Sequence, residues 1–318
     1  MKNIEKILQR FKDKKILVIG DLILDIFLEG EVNRINPEAP VPIVELKKES
    51  FNLGGSGNVA SNISSLGGKT FLFGFTGKDE KAEILKDLMT KSKMDFFLGE
   101  NSLTSQKTRV IGRDQQLLRF DKEETSKKFF SEILKQKLLQ KAEESDMIII
   151  SDYAKGVITS DLLRYLFKFS NKIIVDPKPS NKELYKGVFL ITPNEKESFE
   201  MTNSKDFKTA GESLRKELGS NVLITRGERG MALFSDSNLE VPTYAKEVYD
   251  VTGAGDTVIA ALALSLASGA SLEEAAIIAN HAAGIAVARK GTYSVKFSEL
   301  YNDLLQGQTE TNKNQKNN

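Results

Sequence analysis

Five short apolar runs, each ending on a polar or small side chain, constrain this chain more than any other feature. They are Ile16-Leu-Val-Ile-Gly-Asp21, Met147-Ile-Ile-Ile-Ser-Asp152, Ile173-Ile-Val-Asp176, Phe189-Leu-Ile-Thr-Pro-Asn194 and Val222-Leu-Ile-Thr-Arg-Gly227. Uninterrupted β-branched runs of this length bury both faces of a strand, as in a parallel sheet covered by helices on either side. Helical periodicities fall between them at Asp79–Lys91, Ser131–Glu144, Asp161–Phe169 and Lys205–Leu218. The alternation predicts a doubly wound, mostly parallel α/β sheet flanked by helices. Ligands of such sheets bind at the carboxyl ends of the strands, where Asp21, Asp152, Asp176, Asn194 and Thr225 all fall. Any one of these also suits a helix cap, but five together exceed what capping needs.

Two stretches, Phe27–Leu46 and Lys107–Asp121, break the alternation. Within them Glu29–Ile35, Val41–Leu46, Thr108–Gly112 and Leu117–Phe120 read as short strands joined by Pro and Gly turns. They predict a small β-sheet lid over the strand ends, able to exclude water on closure. Residues 1–306 then form one domain, and 307–318, which carry no apolar side chain, are expected to be a disordered tail.

Composition narrows the partners. With 45 basic against 44 acidic residues, no net field favours nucleic acid or a membrane surface, so the expected partners are small molecules. The absence of cysteine excludes disulfides, cysteine-ligated zinc and thiol catalysis, and a single histidine, His281, excludes a histidine metal cluster. The N-terminus is charged, and no apolar run approaches the ~20 residues that span a bilayer, so a cytoplasmic location is expected.

Two glycine clusters carry the chemistry. Asp250-Val-Thr-Gly-Ala-Gly-Asp256-Thr257 precedes an apolar run to Leu266. Gly253, Ala254 and Gly255 leave backbone N–H groups uncovered where a helix begins, which makes an anion site. Asp256 stands directly behind it, placed to take a proton from an attacking hydroxyl. A tight turn capping a buried helix would use the same residues. The other cluster, Gly54-Gly-Ser-Gly-Asn58, contains a loose dinucleotide-binding pattern, but Lys47-Lys-Glu-Ser50 before it reads as no buried strand. Bare glycine backbone beside Asn58 equally suits close approach of a polyhydroxylated ligand. Asp25 near this cluster suits the same ligand. Gly67-Gly-Lys-Thr70 imitates the end of a phosphate-binding loop, but Ile63 stands where that motif needs its first glycine. Asn194-x-x-Glu197 opens a helix as a capping box, or holds waters around Mg²⁺.

In these two clusters, their order and Asn194-x-x-Glu197 between them, the chain resembles the ribokinase-like, phosphofructokinase-B type carbohydrate kinases from about Lys14 to Glu299. Within that family Gly20–Asp25, Arg34-Ile-Asn-Pro-Glu-Ala-Pro-Val-Pro42, Ser151–Gly156 and Asp176-Pro-Lys178 resemble the branch acting on D-glycero-D-manno-heptose 7-phosphate, which serves ADP-heptose and lipopolysaccharide core synthesis. The resemblance implies Asp256 as general base for the C1 hydroxyl, with the amides of Gly253, Ala254 and Gly255 around the transferring phosphoryl group. It implies Asp25, Gly54, Gly55, Asn58 and Asp152 on the sugar. Asn194 and Glu197 would serve the phosphate and Mg²⁺ side, the metal through water, while Thr225, Gly227 and Asn280 would line the nucleotide pocket. ATP and Mg²⁺ are the implied cofactors, with a monovalent cation an open addition.

A substrate 7-phosphate needs cations, for which Arg34, Arg109, Arg113, Lys155 and Lys178 are the candidates. The resemblance also implies a homodimer through the lid, whose sheet has edges to protect. Members of the family are often fused to an adenylyltransferase with a His-x-Gly-His motif. One histidine excludes that motif here, so the expectation is the kinase step alone, with a separate adenylyltransferase. Two readings stay open beside this one: a kinase of the same family for ribose, fructose or fructose 6-phosphate, and a non-catalytic sugar- or nucleotide-binding protein.

Overall fold

The computed structural model describes residues 2–113, 115–245 and 247–314. In chain order its first elements are α1 (Lys2–Gln9), β1 (Lys15–Gly20), β2 (Leu22–Ile35), β3 (Pro42–Gly55), α2 (Ser56–Ser65), β4 (Lys69–Thr76), α3 (Glu80–Lys91), β5 (Asp95–Glu100), β6 (Ser105–Gly112) and β7 (Gln115–Lys122). There follow α4 (Glu132–Glu144), β8 (Met147–Ser151), α5 (Ser160–Leu166), β9 (Ile173–Asp176), β10 (Leu190–Ile191), α6 (Glu195–Thr202) and α7 (Phe207–Leu218). The chain then runs through β11 (Asn221–Thr225), β12 (Met231–Phe234), β13 (Leu239–Val241), α8 (Ala254–Ala267), α9 (Leu272–Val287) and α10 (Phe297–Asn314).

The main sheet has nine strands in the order β13-β12-β11-β10-β9-β8-β1-β4-β5. Every neighbouring pair is parallel except β11 with β12 and β12 with β13. Alternation along β1 sends Ile16 and Val18 into the core under α1, α2, α8, α9 and α10, and Leu17 and Ile19 into the core under α4, α5 and α7. This is the doubly wound architecture that the apolar runs predict. Helices α3, α4 and α7 start at Asp79, Ser131 and Asp206, whose side chains each accept a backbone N–H three residues on. Burial of α8 from Asp256 to Ser265 explains its apolar composition on all sides. No helix among the described residues is long and apolar enough to cross a membrane.

The lid is a separate four-stranded sheet, β3-β2-β6-β7, in which β2 pairs antiparallel with β3 and parallel with β6. Its first two strands are each 14 residues long, where short strands were expected. Register shifts at Glu29/Gly30 and Val32/Arg34 turn the side chains to the other face partway along, so alternation in the sequence breaks although the strand does not. A strand does lead into Gly54 and Gly55, but Lys47, Lys48 and Glu49 within it are exposed, so no buried strand precedes the cluster, as expected. The strand is an antiparallel one of the lid, outside the parallel βαβ setting that a dinucleotide fingerprint requires. Internal glycines, Gly74 and Gly99, blunt the strand pattern of β4 and β5, which the sequence reading passed over. Helix α10 continues to Asn314, into the stretch expected to be disordered, because a helix docked at Leu300 and Leu304 propagates with little further cost. Residues 315–318 lie outside the described residues.

A buried polar ladder fixes α2 against α8. Asn62 Nδ2 donates to Asn58 O at 3.0 Å, while Asn62 Oδ1 accepts from Thr257 Oγ1 at 3.1 Å and from the Val295 amide at 3.3 Å. Asn62→Ala would strand the Val295 amide in the core and remove two further contacts, with Thr257 Oγ1 left to donate to Gly253 O. We expect a loss of about 2–3 kcal/mol, read as a lower urea midpoint at unchanged slope.

Candidate active site

The site forms where α8 begins. Gly253 caps the helix in the left-handed region at φ 78°, and a side chain on it would press Asn58 Nδ2 at 2.6 Å. Open space faces the α-carbon of Gly255. The Ala254 amide donates to Val251 O at 3.2 Å in the preceding turn. Two amides of the expected trio, those of Gly253 and Gly255, thus lack a partner among the described residues, and the third is engaged at rest. They sit at the positive end of the helix dipole.

Asp256, in the first turn of α8, is 5% exposed. Its Oδ2 accepts from Asn58 Nδ2 at 2.6 Å and its Oδ1 from Tyr153 Oη at 3.0 Å. Burial raises its pKa to about 6, against the lowering effect of these two donors; the Asp25 charge adds to the rise and Lys107 opposes it. The group is therefore an ionised carboxylate of unusual basicity at neutral pH, with its orientation fixed from both sides.

On the lid side, Asp25 of β2 stands opposite Asn52 of β3 and pairs with Arg109 of β6 at 2.6 Å. A Cβ on Gly54 would meet Asp25 Oδ2 at 2.5 Å, so only glycine lets the carboxylate lie against the backbone. Lys107, the register partner of Asp25, holds its ammonium 4.9 Å from the centre of the Tyr153 ring. Asp25, Gly54, Gly55 and Asn58 are thus brought together beside Asp256, as the sequence suggested.

Two cavities meet behind this point. The larger, of about 370 Å³, is mainly apolar and is lined by Thr225, Gly227 and Asn280 with Val248, Val251 and Val287. The smaller is polar and collects Tyr153, Asp176, Lys178, Asn194, Glu197 and Asp256. Thr225 and Gly255 line both, so the two open into one another over the helix start. Asn194 and Glu197 form a complete capping box, and the free Glu197 oxygen pairs with Lys178 at 2.5 Å. Capping and a place in the cleft therefore coexist. Burial, with Asp256 and Glu197 nearby, pushes the Asp176 carboxyl well above its usual range.

Four expected substrate contacts are corrected. Asp152 is 0% exposed and accepts from the Ala154 amide, Asn181 and Tyr185, so it anchors loops and reaches no cleft. Arg34 is exposed near the far end of β2, roughly 30 Å from Asp25 at ~3.3 Å per residue. Lys155 pairs with Glu123 away from both cavities. Lys178 belongs to the polar basin beside Glu197, not to the lid side. Tyr153 and Lys107 were missed as site residues, and Asp176, placed at a ligand-binding strand end, was given no role. Their signals were available: Tyr153 follows a buried strand, Asp176 ends one, and Lys107 opens a lid segment.

An apolar cavity of nucleoside size leads past open amides to a basic carboxylate beneath a lid, and that arrangement defines a small-molecule phosphotransferase. Residues 13–298 match the pfkB family carbohydrate kinase profile, and the chain belongs to that family. It is a carbohydrate kinase. It is 42% identical over 310 residues to the bifunctional protein HldE of Sulfurimonas denitrificans, covering 93% of this chain and 65% of that protein. To the bifunctional protein HldE of Nitratiruptor sp. it is 40% identical over 298 residues, covering 90% and 64%. The chain thus spans just under two thirds of these curated relatives. Arabidopsis thaliana ribokinase complexed with ribose and ATP superposes with a TM-score of 0.76 at 23% identity, covering 92% of this chain and 98% of that one. Escherichia coli phosphofructokinase-2 in complex with potassium gives 0.74 at 21% identity, covering 90% and 96%. These two likenesses establish the ribokinase-like fold.

The elevated Asp256 pKa has a cost in stability. The ordinary value is 3.8 and the folded value about 6, so the buried charge destabilises the fold fully above pH 6 and not at all well below 3.8, where both states are protonated. At ~1.4 kcal/mol per unit the penalty at neutral pH is about 3 kcal/mol. An Asp256→Asn amide can accept from Asn58 and donate to Tyr153. Its Tm should exceed that of the unaltered protein at pH 7.5, and the gain should fade as the pH approaches 3.5.

Proposed function

We propose that the chain transfers the γ-phosphoryl group of ATP to the C1 hydroxyl of D-glycero-D-manno-heptose 7-phosphate, giving the 1,7-bisphosphate. The observation that carries the reading is Asp256, buried and oriented directly behind the open amides of Gly253 and Gly255. The C1 hydroxyl gives its proton to Asp256 as its oxygen bonds to the γ-phosphorus, and the bond to the β-phosphate oxygen breaks to release ADP. Positioning and electrostatics supply most of the acceleration. Thr225, Gly227 and Asn280 hold the nucleoside, while Asp25, Gly54, Gly55 and Asn58 hold the sugar.

Asp176 and Glu197 crowd two carboxylates beside the phosphate path, a donor set that suits a cation. Glu197 is held by the Asn194 amide and Lys178, so it would reach Mg²⁺ through water, and Mg²⁺ would neutralise charge on the phosphates. The sugar assignment is supported by the resemblance of Arg34–Pro42 and Asp176–Lys178 to the heptose branch. For the substrate phosphate, Lys107 and Arg109 at the lid base replace Arg34, Lys155 and Lys178 as the best-placed cations.

We also propose that the lid pairs with a second copy of this chain. Ile35, Val41, Leu46, Leu118 and Phe120 are all more than 45% exposed there, a density of apolar surface that favours burial. Light scattering should report twice the chain mass of 35.3 kDa, and a monomer would refute it.

Two measurements test the chemistry. Asp256→Asn should lower kcat by ~10²-fold or more with nucleotide affinity nearly unchanged, as general-base catalysis usually contributes. A panel of heptose 7-phosphate, ribose, fructose and fructose 6-phosphate, assayed by ADP release, should favour the heptose. Turnover of ribose alone would move the reading to another sugar, and binding without turnover of any sugar would make it a binding protein.

A further inference from the structure

Tyr153 touches the carboxylate of Asp256, the lid and the polar basin at once. Its hydroxyl donates to Asp256 Oδ1 at 3.0 Å. Two ammonium groups lie over its ring, Lys107 of the lid at 4.9 Å and Lys178 of the basin at 5.5 Å from the ring centre. Such contacts hold a phenol by its π-face without using its hydroxyl. The loop that carries it is fixed independently: Asp21 accepts from the amides of Tyr153, Lys155 and Val157, and Ala154 takes a left-handed φ of 57°. Backbone strain of this kind persists only where the surroundings impose it.

We propose that Tyr153 is a positioning residue of the kinase: its hydroxyl keeps Asp256 ionised and aimed, and its ring ties that hold to the position of the lid. The inference rests on the reading of Asp256 as the base. A carboxylate oxygen has two lone pairs, so Oδ1 can accept from Tyr153 and from the sugar hydroxyl together. When the sugar proton arrives, the Tyr153 bond holds the carboxyl plane still. Burial and the Asp256 charge push the phenol well above its ordinary range, so it remains a donor throughout. The other charged groups around Asp256 are Asp25 on β2, Lys107 on β6, and Asp176 with Lys178 at the end of β9, where Glu197 of α6 also faces Asp176. Asp25 and the basin carboxylates disfavour its charge, and the two lysines favour it. Tyr153, with Asn58, is therefore one of the two direct hydrogen-bond donors keeping the base charged inside an acidic surround.

The test is Tyr153→Phe, which keeps the ring beside the lysines and removes only the hydroxyl. Loss of a donor to the ionised form raises the pKa of Asp256, so the acid limb of kcat/KM should move up by about one pH unit, the equivalent of one charge-assisted hydrogen bond. At pH 6 the rate should fall about fivefold more than at pH 9, with KM for ATP unchanged. An acid limb that stays in place overturns the proposal, whether or not kcat falls, since a merely structural role lowers the rate at every pH. Should the variant melt early, Lys107→Met reads the other half: it removes the ring contact together with a charge that itself favours ionised Asp256, so it should raise the same limb in the unaltered background and raise it less in Tyr153→Phe, and an unmoved limb or equal rises overturn the tie to the lid. The unaltered enzyme separates the two readings. If it shows no acid limb near pH 6, the base assignment of Asp256 fails; if it shows one that Tyr153→Phe does not shift, only the role of Tyr153 fails.

Discussion

The hydrogen bond from Asn58 Nδ2 to Asp256 Oδ2, 2.6 Å long and spanning 198 residues of chain, is the contact on which the site depends. It joins the start of α2 to the start of α8, and each helix start carries one of the two glycine clusters. An amide donor against a buried carboxylate is worth more than a surface hydrogen bond, because neither partner has water to fall back on. The Asn62 ladder behind it repeats the join one turn deeper. Gly253 owes its lack of a side chain to the same contact, since a Cβ there would strike the Asn58 amide.

Around that bond the charges are arranged in opposition. Asp25, Asp176, Glu197 and Asp256 converge within one cleft, with Arg109, Lys178 and Lys107 interleaved. Burying carboxylates so closely raises the cost of each charge, and the cations recover part of it. What results is a carboxylate basic enough to take a proton near neutral pH, next to backbone amides suited to an anion. A fold that tolerates such a strained balance must hold its frame elsewhere, and the two layers of apolar packing on the nine-stranded sheet do so.

The parts of this arrangement legible in the sequence are those with short-range causes. The apolar runs named β1, β8, β9, β10 and β11 because strand burial writes a local pattern. Helical spacing of apolar residues marked α3, α4 and α7 for the same reason, to within a residue of their caps at Asp79, Ser131 and Asp206. The lid strands were underestimated because bulges at Glu29/Gly30 and Val32/Arg34 reverse the pattern within a single strand. Asp152 misled because a polar residue at a strand end looks the same whether it faces a ligand or, as here, Asn181 and Tyr185.

By itself the sequence determined the doubly wound sheet, the two glycine clusters and the carboxylate behind the second of them, since each follows from residue type and spacing along a few turns of chain. Only the tertiary structure decided which groups meet. It set Asn58 and Tyr153 on opposite oxygens of Asp256, opened the apolar cavity into the polar basin, kept Arg34 and Lys155 away from both and brought Lys107 over Tyr153. The reason is physical. Hydrogen bonds reach about 3 Å and charge effects fade over roughly 10 Å, so both depend on proximity in space, and strand order and lid register fix that proximity through contacts between residues far apart in the chain.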